Sequence, residues 1–410
     1  MNDVFLCKRC LYPSSHPLKI TFNEEGICSG CIVHEEKDTL DWKYRLLKLR
    51  KIIKEYKTKK NAYDCIIPVT GANDSHFIVH FAKNILKLNP LLVHYNKYYN
   101  TPIGIKNLAN LRIKFDCDIY FKNIDPKLIK KITKETMHMT GSVYWHCLAG
   151  HTVYPVQVAR DMKIPLIIWG EHQGLQQVGM FSHKNEVEMT RRYRKDHDLM
   201  GFEPKDLIKI SNNLSIEDLH PYEYPDDKII NKIGIRGIYL GNYVRWDPIT
   251  QHNLMIKKFG YKSSRLERTF DAYDYIDSYI YTGVHDKTKY LKNGYSKVTD
   301  HVCREIRYKR ISREYGKKLI NFYENKKDKF EILFTNWLEI NSGSLNLFYN
   351  EIRNDSIWKE VSPNMWKKNY PSFKIKKNSK KEKNIKNIYK INDKINCNKM
   401  NKYIIFGKGI

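Results

Sequence analysis

The segment Cys65-Ile66-Ile67-Pro68-Val69-Thr70-Gly71-Ala72-Asn73-Asp74-Ser75 decides the fold. A short apolar run enters a small polar turn, and helical spacing takes over from Ser75 to Leu88. A strand, a tight loop and a helix N-terminus together make an anion site. The free backbone amides of the first turn and the positive end of the helix dipole can hold a pyrophosphate without any lysine. Ser75 can add a hydroxyl, and Asp74 can cap the helix or help organise Mg²⁺. Gly-Lys-Ser/Thr is missing, so this is not a Walker loop. An N-capped helix after a strand is the plain alternative, and the surrounding pattern argues against it.

Working outward, short apolar runs at Cys65–Val69, Leu91–Tyr95, Asp118–Phe121 and Pro165–Trp169 read as strands. Helical spacing occupies Ser75–Leu88, Ile103–Phe115, Pro126–His138 and Val153–Met162. Strand and helix in alternation predict an α/β fold, a parallel sheet with helices on both faces. Nucleotides bind such sheets at the carboxyl ends of the strands, where Thr70–Ser75 falls. A charged helical stretch, Leu40–Tyr56, precedes the sheet. Beyond about Gly260 the chain becomes helical and rich in Tyr, Arg and Asp, with Lys297–Tyr323 the clearest helical run.

Cys7-x2-Cys10 and Cys28-x2-Cys31 are two knuckles able to place four thiolates around one tetrahedral ion. All four positions are Cys, so no site stays open for substrate and the implied Zn²⁺ is structural. Gly26 and Gly30 flank the second pair and can supply its turn. The nine cysteines are an odd number, which disfavours a disulfide framework and fits a reducing, cytoplasmic setting. No apolar run is long enough to span a bilayer, and Met1–Arg9 lacks a signal-peptide core, so no membrane insertion is expected.

The net charge of +27 would suit nucleic acid or a membrane surface, but it is unevenly spread, with about +18 left on the chain outside Lys374–Lys402, so the whole molecule is basic. Lys374–Lys402 alone carries eleven lysines against Glu382 and Asp393. Abundant Lys, Asn, Ile and Tyr is also what an AT-rich genome writes, so charge by itself selects no partner.

Other strings carry chemistry. His146-Cys147, with His151 nearby, offers a thiol beside imidazoles and hence a nucleophile or base, against the commoner reading of a buried Cys. Gly170-Glu171 ends an apolar strand at the active edge, making Glu171 a candidate for Mg²⁺ or a substrate hydroxyl. Leu240–Asp247 and Glu267–Asp271 are rich in hydrogen-bonding and aromatic groups, and Trp246, Asp247, Arg268 and Asp271 are the residues expected to hold a sugar; a polar seam would look similar.

The loop Thr70-Gly71-Ala72-Asn73-Asp74-Ser75 resembles the Ser-Gly-Gly-x-Asp-Ser signature of PP-loop ATP pyrophosphatases. Thr70 replaces Ser, a mild change; Ala72 replaces the second Gly, which would strain a backbone at φ > 0. Taken with the paired-Cys ribbon, Gly170-Glu171, Leu240–Asp247 and the run from Gly294 through Thr299–Arg307, the chain resembles the N-acetyl sugar amidotransferase family from Cys7 to about Gly316. Together the patterning along the chain and this resemblance divide it into a zinc ribbon and connector at 1–40, a PP-loop domain at 41–255 and a helical lobe at 256–371, of which the resemblance reaches about Gly316. The Lys/Asn-rich tail at 372–410 lies outside it and reads as largely disordered. Thr70–Ser75 and Gly170 would bind ATP, with Asp74 and Glu171 catalytic alongside His146 and Cys147.

The implied activity converts an acetamido group of a nonulosonic acid of the pseudaminic acid type to acetamidino, through an adenylated intermediate, for flagellin or surface glycans. ATP, Mg²⁺ and structural Zn²⁺ are the implied cofactors; the partners are the sugar and free ammonia or a separate glutaminase. A tRNA thiolase also combines a PP-loop, zinc ribbon and basic surface, but sulfur transfer usually wants a cysteine pair and none lies outside the ribbon. A nonenzymatic zinc-ribbon nucleic-acid binder is favoured by charge alone, so a nucleic-acid partner is not expected.

Overall fold

The computed structural model describes residues 4–57, 62–363 and 365–369, with Asn73 as backbone only. The expected tail, 372–410, lies outside the described residues. Its centre is a five-stranded sheet of β1 (Cys65–Pro68), β2 (Pro90–Tyr95), β3 (Ile119–Lys122), β4 (Leu166–Trp169) and β5 (Arg236–Tyr239). The order is β3-β2-β1-β4-β5 and every pairing is parallel. The expected α/β class is therefore what the chain adopts.

Both sheet faces are covered, and the strands are correspondingly apolar throughout. Ile67, Leu92, Leu166, Ile168 and Ile238 point into one core. Ile66, Leu91, Val93 and Ile167 point into another, packed against Val156, Val158 and Ala159. Six helices frame the first four strands: α1 (Ser29–Glu36), α2 (Trp42–Tyr56), α3 (Asn73–His80), α4 (Pro102–Phe115), α5 (Pro126–Thr140) and α6 (Trp145–Met162). Their starts follow local chemistry. Asp41 accepts from the Lys43 and Tyr44 amides, and Thr101 and Asp125 cap α4 and α5, each followed by proline at the first helical position.

The sequence missed β5, whose Arg236-Gly237 start breaks the apolar signature; Gly237 packs against Trp169 and Met189. The run Lys297–Tyr323 is two helices, Lys297–Arg307 and Arg313–Glu324. Lys309 turns left-handed at φ 57, and Ser312 caps the second helix by accepting from the Tyr315 amide. An antiparallel pair, β6 (Trp358–Ser362) with β7 (Met365–Lys368), follows the last helices. One apolar core runs from the ribbon cysteines through Ile67 and Leu92 to Val298, Val302 and Ile320, so ribbon, sheet and C-terminal helices share packing.

Candidate active site and metal centre

Strand order places the site. From β1 the chain moves outward to β2 and β3, then returns across β1 to β4, so the turns after β1 and β4 diverge and leave a crevice at the carboxyl edge. Those turns are Thr70–Asp74 and Gly170–Glu171.

The loop after β1 is held by its own hydroxyls. Ser75 Oγ accepts from the Thr70 amide at 2.8 Å, and Thr70 Oγ1 accepts from the Ala72 amide at 3.1 Å. Ala72 has φ −100 and ψ 177, extended backbone that any residue adopts, so its replacement of glycine carries no strain here. Gly71 is needed for contact instead: a methyl there would run into the Gly104 carbonyl of α4. The first-turn amides of α3 have no side-chain cap, which leaves them as anion donors.

A cavity of about 270 Å³ opens over this loop, lined by Thr70, Ala72, Asp74, Ser75, Gly170 and Glu171 with aromatic walls from Tyr95, Trp169 and Tyr239. A second, more enclosed cavity of about 110 Å³ adjoins it. The two share Asp74, Glu171, Gln173, Asp274 and Tyr275. The second cavity is walled by the helix Lys297–Arg307, which turns Lys297, Asp300, His301, Arg304 and Arg307 toward it. None of these was among the expected site residues; the polar stripe that their spacing makes on a helix is the signal that could have found them.

Electrostatics concentrate at the junction. Burial, with the charges of Glu171 and Asp274, pushes the Asp74 carboxyl well above its usual range. Burial pushes Glu171 up to about 7, with Lys37 and Arg304 opposing. Asp274 goes the other way: burial would raise it, but the His301 hydrogen bond and the Arg304 charge hold it below the usual carboxylate range. Arg304 donates to Asp271 Oδ2 at 2.6 Å and to Asp274 Oδ2 at 2.8 Å. Asp271, Asp274 and His301 bring ligand atoms within 4.8 Å of one another, and Arg304 already supplies the counter-charge there.

The other expected sugar residues stand behind these walls. Trp246 is fully buried, edge-on to Phe77 at 5.4 Å, and backs Gly170. Asp247 is gripped by Arg310, both oxygens at 2.6 Å. Arg268 is ion-paired to Asp286 at 2.9 Å inside the protein. Asp271 is fully buried; it accepts from the Tyr273 and Asp274 amides and so orients the turn that carries Asp274. None of the four lines either cavity.

His146 and Cys147 are placed in the aromatic core at the start of α6, not in the cavities. Both are fully buried, with His146 bonded to the Tyr99 and Tyr95 hydroxyls at 3.0 and 3.1 Å. Burial pushes the Cys147 thiol well up and His146 down to about 3, which disfavours a thiolate at this position.

Cys7, Cys10, Cys28 and Cys31 converge with their sulfurs within 4.8 Å of one another, all buried. The Cys28 amide donates to Cys7 Sγ at 3.3 Å and the Tyr12 amide to Cys10 Sγ at 3.5 Å, the knuckle arrangement that stabilises thiolates on a metal. The all-sulfur donor set fits Zn²⁺. Gly26 turns at φ +75, whereas Gly30 lies in α1 and serves close packing against Arg307 and Gln177. One zinc per chain is expected by elemental analysis of freshly purified, reduced protein; metal-free, folded protein would refute the assignment.

Among the described residues no helix is long and apolar enough to cross a membrane. Residues 267–370 match a family described as the C-terminal domain of WbpG-like lipopolysaccharide (LPS) biosynthesis proteins. An uncharacterized protein of Methanocaldococcus jannaschii, MJ1599, is 28% identical over 123 residues, 29% of this chain. The chain spans 43% of the length of that curated relative. Among solved structures, the U34-tRNA thiolase NcsA of Methanococcus maripaludis overlaps 47% of this chain and 63% of its own, at 11% identity and a TM-score of 0.23. That overlap is too loose to bear on function.

Proposed function

We propose that the chain is a PP-loop, ATP-dependent amidotransferase that turns the acetamido group of a sugar, of the pseudaminic acid type, into an acetamidine. The observation that carries this reading is the junction of the two cavities: the loop after β1 faces one, the polar helix Lys297–Arg307 walls the other, and Asp74, Glu171 and Asp274 border both. The LPS biosynthesis match, residues 267–370, covers about half of the second cavity's lining, the helix Lys297–Arg307 with Asp274, Tyr275 and Tyr308, which supports a sugar there.

ATP lies in the larger cavity with its phosphates on the first-turn amides of α3 and its base among Tyr95, Trp169 and Tyr239. The buried carboxylates fit a hard cation: Asp74 and Glu171 would hold Mg²⁺, which when bound supplies counter-charge to the departing pyrophosphate. The amide oxygen of the acceptor attacks the α-phosphorus and pyrophosphate leaves. Ammonia then adds to the activated carbon, AMP departs, and one proton is lost to give the amidine. His301 bonds through Nδ1 to Thr269 at 2.6 Å and faces Asp274 through Nε2 at 3.5 Å, which fixes the orientation of the Asp274 carboxylate at the junction.

Incubation with Mg²⁺-ATP, ammonium chloride and pseudaminic acid is expected to release AMP and pyrophosphate and yield a sugar with its amide oxygen replaced by NH. Pyrophosphate release that needs tRNA, or that ignores the sugar, would sink the proposal.

A further inference from the structure

The ribbon is built into the smaller cavity. Tyr12 and His34 line it. The Tyr12 hydroxyl donates to Asp300 Oδ1 at 2.9 Å, and its ring lies against the Arg307 guanidinium at 5.1 Å. His34 meets Tyr308 edge-on with centroids 4.6 Å apart.

Lys37, just past α1, is only 2% exposed. Its ammonium donates to Gln176 Oε1 and, at 3.4 Å, to the Tyr308 hydroxyl, and both partners line the cavity. Lys37 makes no ion pair among the described residues. A buried ammonium without one is costly, and such a group is kept where it has a task. Burial lowers its pKa to about 8, and Glu171 at the cavity junction is the carboxylate that most favours its charged form.

The contact between ribbon and cavity is at backbone distance. Arg307 donates to the Gln176 and Gln177 carbonyls at 2.9 and 2.7 Å while its other nitrogen reaches Cys28 Sγ at 3.6 Å. Ser29 Oγ donates to the Val178 carbonyl at 2.7 Å. A methyl on Gly30 would strike Arg307 and Gln177, and one on Gly179 would strike the Ser29 carbonyl. The segment 174–179 is thus wedged between ribbon and cavity.

The lining is charged, amide-bearing and phenolic, with Pro248 the lone aliphatic side chain. Such walls offer donors and acceptors in alternation, which suits a ligand rich in hydroxyl and amide groups rather than an apolar one.

We infer that the four-cysteine ribbon forms one wall of the acceptor subsite, with His34 facing an N-acetylated, hydroxyl-rich sugar, buried Tyr12 orienting Asp300 toward it, and Lys37 positioning Gln176 and Tyr308 against it. This rests on reading the smaller cavity as the acceptor subsite.

The test uses calorimetric titration of the zinc-loaded full chain without ATP, with pseudaminic acid and UDP-N-acetylglucosamine as acceptor probes and AMP as the probe of the loop cavity. In Tyr12→Phe, His34→Ala and Lys37→Met, sugar affinity is expected to fall about tenfold or more while AMP affinity stays within about twofold. Zinc content and Tm should hold, and Lys37→Arg should recover part of the loss. Unchanged sugar affinity in the variants overturns the inference. So does an equal loss of AMP affinity, or a wild-type chain that binds AMP and neither sugar. A wild-type chain that binds sugar through these residues but releases no pyrophosphate rejects the amidination chemistry and leaves the subsite standing.

Discussion

Asp74→Ala is expected to lower sugar-stimulated pyrophosphate release by about 1000-fold, with Ser75→Ala losing about tenfold, in chains that remain folded. The asymmetry follows from the geometry. Asp74 borders both cavities, where charge builds as pyrophosphate departs, whereas Ser75 Oγ is engaged within the loop by the Thr70 amide. Stability should move the other way. Asp74 lies in the first turn of α3, where its negative charge contributes less than about 1 kcal/mol against the helix dipole. Its enclosure and its neighbours Glu171 and Asp274 disfavour the ionised form more strongly, pushing the carboxyl well above its usual range. Removing the carboxylate relieves that repulsion, so the Tm of Asp74→Ala should equal or exceed the wild-type value. Thermal melts beside a pyrophosphate assay check both halves. Wild-type turnover in Asp74→Ala would move the reacting phosphates away from this loop.

What the sequence disclosed and what it hid divide along physical lines. The central strands announce themselves because both sheet faces are covered, which makes Ile66-Ile67 and Leu91-Leu92-Val93 unbroken apolar runs. The edge strand β5 did not, since Arg236 and Gly237 sit in it. Four cysteines at knuckle spacing were legible because metal ligation fixes residue type and interval together. The acceptor wall was harder. Trp246 and Arg268 looked sugar-binding by composition, yet they are fully and nearly fully buried, because aromatic and ion-paired residues also build cores. The helix Lys297–Arg307 carried the better clue, a stripe of charge at helical spacing where an apolar stripe would ordinarily pack. Lys37 left no trace at all: its importance lies in a burial that only the fold reveals.

The source of nitrogen follows from the state of the thiols. Ammonium chloride is expected to support amidination by the purified chain, and glutamine alone is expected to give none. A glutaminase needs a thiolate that glutamine can reach. All eight cysteines among the described residues are buried, and four of them are the ribbon ligands. Burial pushes the Cys65, Cys117 and Cys147 thiols upward, which keeps them protonated. Cys303 accepts from the Leu11 amide beneath the ribbon, on the buried side of the helix that walls the smaller cavity. None of these sulfurs lines the two cavities. Ammonia would therefore arrive from solution or from a separate glutaminase, and because free NH3 rather than ammonium is the nucleophile, the rate with ammonium chloride should rise with pH as the free-base fraction grows. The assay compares the two nitrogen donors at equal concentration with formation of the acetamidine product as readout, because pyrophosphate leaves before the nitrogen enters. Efficient turnover with glutamine, abolished by a thiol alkylator, would reveal an intrinsic glutaminase and require a cysteine to become exposed during the reaction.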